Sequence, residues 1–132
     1  MALSAQVIEN GNGSVGIESR SHITEVYIQI TASGSYTTGG DTLDLTAFLG
    51  VLGQFGVPGD QLPLWADIQS LSSSGDSGYV YALRPGATQA GCKLQVFQCA
   101  GSAAPFAELA QTTYPAGVTG DTIVGRLTFL RG

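Results

Sequence analysis

The sequence predicts an all-β fold, a single-domain β-sandwich of jelly-roll-like form, on the basis of three observations. Apolar and polar residues alternate with a period of two in several segments, whereas helical periodicity is scarce. Gly-rich turns separate these segments at short and fairly regular spacing, as in sandwiches and barrels. The chain has 132 residues, which is the size of one ordinary domain, so we expect one hydrophobic core.

Six segments carry the alternation that indicates a strand. They are residues 22–32, 42–46, 64–69, 79–83, 93–98 and 123–130. Shorter strands near Val7 and Val15 would bring the number to eight, as in a jelly roll. The Ala-rich residues 103–112 are expected to form a short helical turn that begins near Pro105.

The first residues of the chain are the least patterned. We expect residues 1–20 to form a flexible N-terminal arm or edge segment, and residues 21–132 to form the sandwich domain. Residues 1–6 lack the basic and apolar regions of a secretory signal. No stretch approaches the ~18 apolar residues of a membrane-spanning helix, so no membrane span is expected.

The charge content argues against two classes of partner. Only 11% of the residues are charged, compared with about a quarter in an average domain. The net charge is −5, and the basic residues are scattered along the chain: Arg20, Arg84, Lys93, Arg126 and Arg131. We therefore expect neither a nucleic acid nor a membrane as partner. A weakly charged exterior fits a surface covered by neighbouring subunits, although it also fits a plain sandwich.

Two cysteines, Cys92 and Cys99, bracket a predicted strand. If that run is one strand, seven residue steps separate the sulfur atoms by about 23 Å on opposite faces. A disulfide requires Cα atoms within about 7 Å, so two free thiols and a reducing compartment are predicted. A turn inside the run would change this prediction.

Two motifs imitate known chemistry. Residues 11–16 match the G-x-G-x-x-G pattern of dinucleotide-binding folds, but no helical pattern follows them, and a Gly-rich turn explains them better. Residues 75–78 read G-D-S-G, and His22, Asp60 or Asp67, and Ser77 follow the order of a trypsin-like triad. Because a triad is defined by geometry and the chain is too short for two barrels, a polar loop is favoured.

Three further residue sets also lack the pattern of a functional site. His22 is the only histidine, and the aspartates lack the spacing of a calcium loop. Trp65 and the tyrosines fit the core or a subunit interface better than a sugar site. We therefore expect no enzyme, no catalytic or metal-binding residue and no cofactor.

Three segments carry a resemblance to a known family. They are residues 33–46, which read SGSYTTGGDTLDLT, then Gly78-Tyr79-Val80-Tyr81 with Arg84-Pro85-Gly86, and Tyr114-Pro115-Ala116-Gly117-Val118 with the closing strand. Together they cover about a third of the chain, and they resemble small structural proteins of tailed bacteriophages. The resemblance implies a capsid decoration (cement) protein.

A decoration protein binds the outer surface of a phage capsid and stabilises contacts between subunits of the major capsid protein. The resemblance also implies self-association as a dimer or trimer, and a place on the capsid exterior of the virion after synthesis in the host cytoplasm. The alternative is a carbohydrate- or receptor-binding β-sandwich module of a phage tail. We expect partner contacts in the arm and in or beside the polar loop 72–78, at Val7, Ile8, Val15, Ile17, Ser73, Asp76 and Tyr79.

Overall fold

The computed structural model describes residues 3–8, 17–19, 22–48, 61–71, 79–99 and 106–130. In chain order the strands are β1 (Leu3–Val7), β2 (Ile17–Ser19), β3 (Ile23–Ala32), β4 (Ser35–Tyr36), β5 (Asp41–Thr42), β6 (Trp65–Ser70), β7 (Tyr79–Arg84), β8 (Lys93–Cys99), β9 (Phe106–Glu108), β10 (Thr112–Thr113) and β11 (Ile123–Leu130). All the strand pairings among these residues are antiparallel, and the predicted all-β fold is confirmed. The jelly-roll connectivity stays a prediction.

A five-stranded sheet contains both ends of the described chain. Its order is β1-β3-β11-β6, and β2 also pairs with β3. Since β11 occupies one edge of β3, both β1 and β2 lie on the other edge. Val7 lies opposite Ile28 and Ile17 lies opposite Val26, while the Ile8 N–H donates to the carbonyl of Tyr27 between them. Strand β2 thus continues the edge that β1 begins, with residues 9–16 in between.

A four-stranded sheet lies against the first one and has β8 at its centre. Strand β7 pairs with one edge of β8, and β5 and β9 pair with different parts of the other edge. A small two-stranded sheet of β4 and β10 joins Tyr36 to Thr112. This arrangement gives the two larger sheets one inner face each.

The two inner faces form a single hydrophobic core. Alternate residues of β3 are buried from Thr24 to Ala32, as the period of two in the sequence predicts. The buried cluster is completed mainly by side chains of β8, β11 and the loops: Leu43, Leu45, Tyr81, Leu94, Val96, Ile123, Leu127 and Phe129. Because these residues come from both sheets, each sheet covers the apolar face of the other.

One inward position of β11 is a glycine. A Cβ atom on Gly125 would lie 2.6 Å from Cδ1 of Ile68 and 3.2 Å from Cγ1 of Ile28. The space that a side chain would fill is therefore already occupied by its neighbours on β6 and β3. Close packing of this kind leaves little room for added atoms.

Two secondary-structure predictions were wrong. The predicted strand at residues 42–46 ends at Thr42, and Leu45–Phe48 form a 3-10 helix. The Asp44 carboxylate accepts hydrogen bonds from the Thr46 N–H and hydroxyl, which turns the chain at this point. Leu43 and Leu45 are both buried. Two buried residues separated by one are compatible with a strand and also with a helical turn, which explains the wrong prediction.

The helical turn predicted within residues 103–112 is also wrong in the part described. Phe106–Glu108 form β9, which pairs with β8 and places Glu108 opposite Phe97. Pairing with a free strand edge outweighs the helix preference of alanine. A one-turn helix occurs instead at Ala116–Thr119.

The strands predicted at residues 22–32, 64–69, 79–83, 93–98 and 123–130 are confirmed, as is the short strand near Val7. The position near Val15 lies outside the described residues. Of the two alternatives predicted for the first twenty residues, an arm or an edge segment, Leu3–Val7 and Ile17–Ser19 form an edge segment of the five-stranded sheet. The domain boundary at residue 20 stays a prediction.

Each helix in the described ranges is a single turn, and none is long and apolar enough to cross a membrane.

Candidate functional site

Three tyrosines donate hydrogen bonds to carboxylates that are distant in sequence. Tyr36 donates to Glu108 at 2.7 Å, and its hydroxyl accepts from the Val96 N–H. Glu108 also accepts from the Gly39 N–H, which fixes the turn before β5. These contacts hold the turn against β8 and β9.

The other two pairs have the same construction. Tyr114 donates to Asp41, whose second oxygen accepts from the Thr37 N–H. Tyr81 donates to Asp121 at 2.7 Å. The rings of Tyr36 and Tyr114 meet edge to face with centroids 5.6 Å apart, so two of the three pairs form one cluster.

These environments stabilise the neutral phenols. Burial, followed by the hydrogen bond to Glu108, raises the pKa of Tyr36 to about 12. Burial, followed by the carboxylate partner, also raises the pKa of Tyr81 and of Tyr114. The Tyr36 hydroxyl and the Gly39 N–H lower the pKa of Glu108. The tyrosines act as hydrogen-bond donors that tie loops to the core, since their ionisation is disfavoured at neutral pH.

The outer face of the four-stranded sheet changes from apolar to basic along its strands. Outward side chains of β7 and β8 form this surface, which we call the Arg84 face: Val80, Ala82, Arg84, Lys93, Gln95 and Phe97, of which Gln95 is only 8% exposed. Val80 lies opposite Phe97 and is 46% exposed. At the other end Arg84 lies directly opposite Lys93, and both are exposed. Two of the five basic residues of the chain thus meet at one cross-strand position.

The outer face of the five-stranded sheet is broader and carries charges of both signs, among them Glu25, which lies opposite Thr128 of β11 and Glu18 of β2. It is formed by outward side chains of β3, β6 and β11 with neighbours at its rim, and we call it the Arg126 face: Ile8, Tyr27, Gln29, Trp65, Asp67, Gln69, Leu71, Val124 and Arg126. Arg126 donates to Asp67 at 2.8 Å across β11 and β6. Trp65, 60% exposed, occupies the next outward position of β6.

A hollow of about 640 Å³ lies on the Arg126 face. Val124 and Gly125 lie within its lining, and Tyr27, Asp67, Gln69 and Arg126 contribute the polar groups. Ile8 and Leu71 complete the apolar part, and their side chains are 37% and 52% exposed. The hollow therefore combines an apolar lining with a few planar polar side chains.

The residues predicted to contact a partner do not lie together on one surface. Ile8 reaches the hollow of the Arg126 face. Val7, Ile17 and Tyr79 are half-buried and pack against the hydrophobic core, which leaves little of each side chain for a partner. Tyr79 begins β7 in the other sheet, so it shares no surface with Ile8.

Several sequence candidates lie outside the described residues. These are Val15, Ser73 and Asp76, together with the motifs at residues 11–16 and 75–78 and with Asp60. His22 is described and is exposed at the start of β3. Among the described residues, no group of three or more His, Cys, Asp or Glu side chains is placed to hold a metal ion.

The free thiol predicted for Cys92 is confirmed. This side chain is buried just before β8, and its Sγ donates a weak hydrogen bond to the carbonyl of Thr88 at 3.7 Å. The free thiol expected at Cys99 stays a prediction.

Neither outer face was predicted from the sequence as a binding surface. Arg84, Lys93 and Arg126 appeared scattered because they are separated along the chain. The alternation within β11 does place Arg126 on the opposite side from Leu127, so its outward direction was readable. Its partner Asp67 and the pairing of Arg84 with Lys93 depend on strand register, which no local pattern gives.

Comparison with known proteins gives no relative from which a role can be transferred. No family model matches the chain, and no curated protein or solved structure matches it. Function is therefore inferred from the two outer faces and from the resemblance described above.

Proposed function

We propose that this chain is a structural virion protein that binds the outer surface of a phage capsid and stabilises contacts between major capsid protein subunits. The observation that carries the proposal is the Arg84 face, a surface that is apolar at one end and basic at the other. Such a surface fits a protein partner better than a small molecule, because its exposed side chains, Val80, Arg84 and Lys93, stand at the two ends of the strands with the buried Gln95 between them, and not around one enclosed space.

The Arg84–Lys93 pair supports an acidic partner. Like charges directly opposite one another in an antiparallel pair destabilise a sheet. Glu108, opposite Phe97 on β9, supplies one carboxylate near enough for the charge of Arg84 to lower its pKa, and a partner carboxylate placed at Lys93 would offset the remaining repulsion. On a chain with a net charge of −5, this pair also gives an acidic surface one place to approach.

Close packing and hydrogen bonds hold the turn that lies beside the Arg84–Lys93 pair. Gly40, with φ of +106°, packs so closely on β8 that an added Cβ would lie 3.1 Å from both Lys93 Cβ and Gln95 Cγ. The hydrogen bonds of Glu108 and Asp41 hold the same turn. A rigid contact surface lowers the entropy cost of docking, which suits a protein that clamps a shell.

Two measurements test the proposal. The first is the copy number in purified particles of the virus that encodes the chain, by quantitative mass spectrometry. A number close to a simple ratio with the major capsid protein is expected, since cement proteins act by repeated modest contacts. A few copies per particle would contradict the proposal and favour a tail location.

The second measurement is co-sedimentation of the purified protein with capsids that lack it. The double variant Arg84→Gln/Lys93→Gln is expected to bind at least ~10-fold more weakly, because two interfacial charges are removed. The control is Thr112→Glu/Thr113→Glu, which makes the same change in net charge at exposed sites on β10. Equal binding by the two double variants would contradict a role for the Arg84 face.

A carbohydrate-binding module of a phage tail is the second candidate, favoured by the hollow of the Arg126 face. Planar groups on Asp67, Gln69 and Arg126 suit pairs of sugar hydroxyls, and Tyr27 offers part of a ring to an apolar sugar face. Binding to an array of bacterial surface polysaccharides that is lost in Gln69→Ala would support it. Array binding that Gln69→Ala leaves unchanged would contradict it.

A further inference from the structure

We propose that one row of side chains on the outer face of the five-stranded sheet binds an arginine that a basic segment of a partner protein presents. The row, which we call the Trp65 row, consists of Glu25 of β3, Thr128 of β11 and Trp65 of β6. It lies on the opposite sheet from the Arg84 face, for which an acidic partner is proposed. The inference therefore goes beyond the proposed capsid function and does not depend on it.

Strand pairing places the three side chains of the row next to one another. Thr128 lies opposite Glu25 on one side and opposite Trp65 on the other. The residues on either side of Glu25 in β3 and of Thr128 in β11 are buried, so these two side chains point outward, and Trp65 is 60% exposed. Because Thr128 is much smaller than its two neighbours, a ligand above it would lie between a carboxylate and an indole.

The spacing of the row fits a planar cation. Neighbouring strands are about 4.8 Å apart, so a group above Thr128 lies about 5 Å from the strand of Glu25 and from the strand of Trp65. An aromatic ring attracts a cation within ~6 Å of its centre, and a carboxylate adds an ion pair. Arginine makes both contacts at once, since its guanidinium stacks on a ring while its N–H groups donate to a carboxylate.

The charge of the row selects a cation. The Tyr27 hydroxyl donates to Oε2 of Glu25 at 2.9 Å, which orients the carboxylate without neutralising it. Glu18 of β2 lies opposite Glu25, and like charges opposed across an antiparallel pair destabilise a sheet. The base at the next outward position of β11, Arg126, is engaged by Asp67 at 2.8 Å. A cation supplied by a partner would therefore offset the repulsion between the two glutamates.

The charge of the whole chain acts in the same direction. The net charge is −5, so the field of the protein attracts a basic segment from a distance. The row then provides the short-range contacts that hold one arginine of that segment.

Exposed apolar side chains beside the row favour a protein segment over a free cation. Leu130, at the next outward position of β11, is 43% exposed. Leu64 is 60% exposed, and its N–H donates to the carbonyl of Thr128 at 2.8 Å. Apolar residues on either side of the arginine would cover these leucines and Trp65, and a tryptophan covered by a partner contributes strongly to an interface.

Fluorescence of Trp65 tests the inference, because it is the only tryptophan of the chain. The probe is an acetylated and amidated tripeptide of leucine, arginine and leucine, added to the full chain at up to tens of millimolar. Since the indole is 60% exposed, covering it is expected to shift the emission to shorter wavelength, and the titration gives a Kd. The same peptide with citrulline, which keeps the shape of arginine without its charge, is expected to bind ~10-fold more weakly.

A matched pair of variants assigns the effect to Glu25. Glu25→Gln removes the charge but keeps an oxygen that accepts from Tyr27, and it is expected to weaken binding of the arginine peptide about 5-fold. Thr112→Lys makes the same change in net charge at an exposed site on β10 and should leave the affinity unchanged. Glu25→Gln should also reduce the preference for arginine over citrulline by a similar factor, which a general loss of structure would not do.

Four results would overturn the inference. The first three are an emission that the arginine peptide leaves unchanged, equal affinities for the two peptides, and equal affinities in Glu25→Gln and Thr112→Lys. The fourth is an emission shift when the chain is concentrated without peptide, because the occupant would then be a second copy. None of them bears on capsid binding by the Arg84 face, and failure to bind capsids would leave this inference intact.

Discussion

The Tyr81 hydroxyl donates a 2.7 Å hydrogen bond to Oδ2 of Asp121 and so joins β7 to the turn that precedes β11. Ser70, at the end of β6, donates to Oδ1 of the same carboxylate at 2.6 Å. One aspartate therefore connects strands of both sheets at one end of the core. Because Tyr81 is only 4% exposed, water cannot easily replace this contact.

Replacing Tyr81 with phenylalanine is expected to lower the free energy of unfolding by about 2 kcal/mol. The change removes one hydrogen bond to a charged acceptor while keeping the ring in the core. Urea denaturation measures the loss, and Val80→Ala, the exposed neighbour on the same strand, serves as control with an expected change below ~0.5 kcal/mol. Equal losses in the two variants would show that the Asp121 contact contributes nothing.

The protein is expected to lose stability in alkaline solution. The pKa of Tyr36 is about 12 in the folded state and 10.0 in the unfolded chain, so between these values only the folded state keeps the proton. The unfolded state then binds fewer protons, and the free energy of unfolding falls as pH rises. The full contribution is present below pH 10.0 and is lost by about pH 12.

Urea titrations at increasing pH measure this loss, and near-ultraviolet absorbance follows tyrosinate formation. Tyr36→Phe is expected to show a shallower alkaline decline than the wild-type chain, with a slope difference of up to ~1.4 kcal/mol per pH unit. Raised pKa values for Tyr81 and Tyr114 act in the same direction, so some decline remains. A parallel decline in both proteins would contradict the assignment to Tyr36.

Gly40→Ala is expected to destabilise the protein more than Gly39→Ala. Both glycines have positive φ, +106° and +98°, so each substitution carries a backbone penalty of about 1–2 kcal/mol. Only at Gly40 would the new Cβ also press on β8, 3.1 Å from the Leu94 carbonyl oxygen. Thermal or urea unfolding of the matched pair isolates the crowding, and the opposite order of stabilities would refute it.

Gly125→Ala is expected to cost about 1–3 kcal/mol through overpacking against Ile68. The conflicting atom is Cδ1 of that isoleucine, 2.6 Å from the position of the new Cβ. Ile68→Val removes this atom, so the double variant should be more stable than the sum of the single effects predicts. A double-mutant cycle measures the coupling, and simple additivity would argue against contact between the two side chains.

Long strands were predictable because their alternation is determined by the core. In β3 and β11 every second residue is buried over ten and eight residues, and the sequence shows this directly. The strand predicted around Leu43 and Leu45 was wrong because two buried leucines separated by one residue fit a strand and a 3-10 turn equally well. The hydrogen bond from the Thr46 N–H to Asp44 favours the turn over a strand. It is a local contact, but the alternation of apolar residues gives no sign of it.

The candidate surfaces were less predictable than the strands. Arg84 and Lys93 meet only because β7 and β8 pair in one particular register, with the 3-10 turn Gln89–Gly91 between them. A slip of one residue would send the two side chains to opposite faces. Likewise, Trp65 fits a core or an interface on composition, and only the position of β6 leaves it exposed.

The interruption between β1 and β2 has a consequence for behaviour at high concentration. An uninterrupted strand along the edge of β3 would present a long row of unpaired backbone groups, on which other chains can add strands without limit. Here that row is divided into five residues and three residues. Removing residues 9–16 would join the two pieces into one uninterrupted edge strand, and we infer that this would make the protein more prone to fibrillar aggregation.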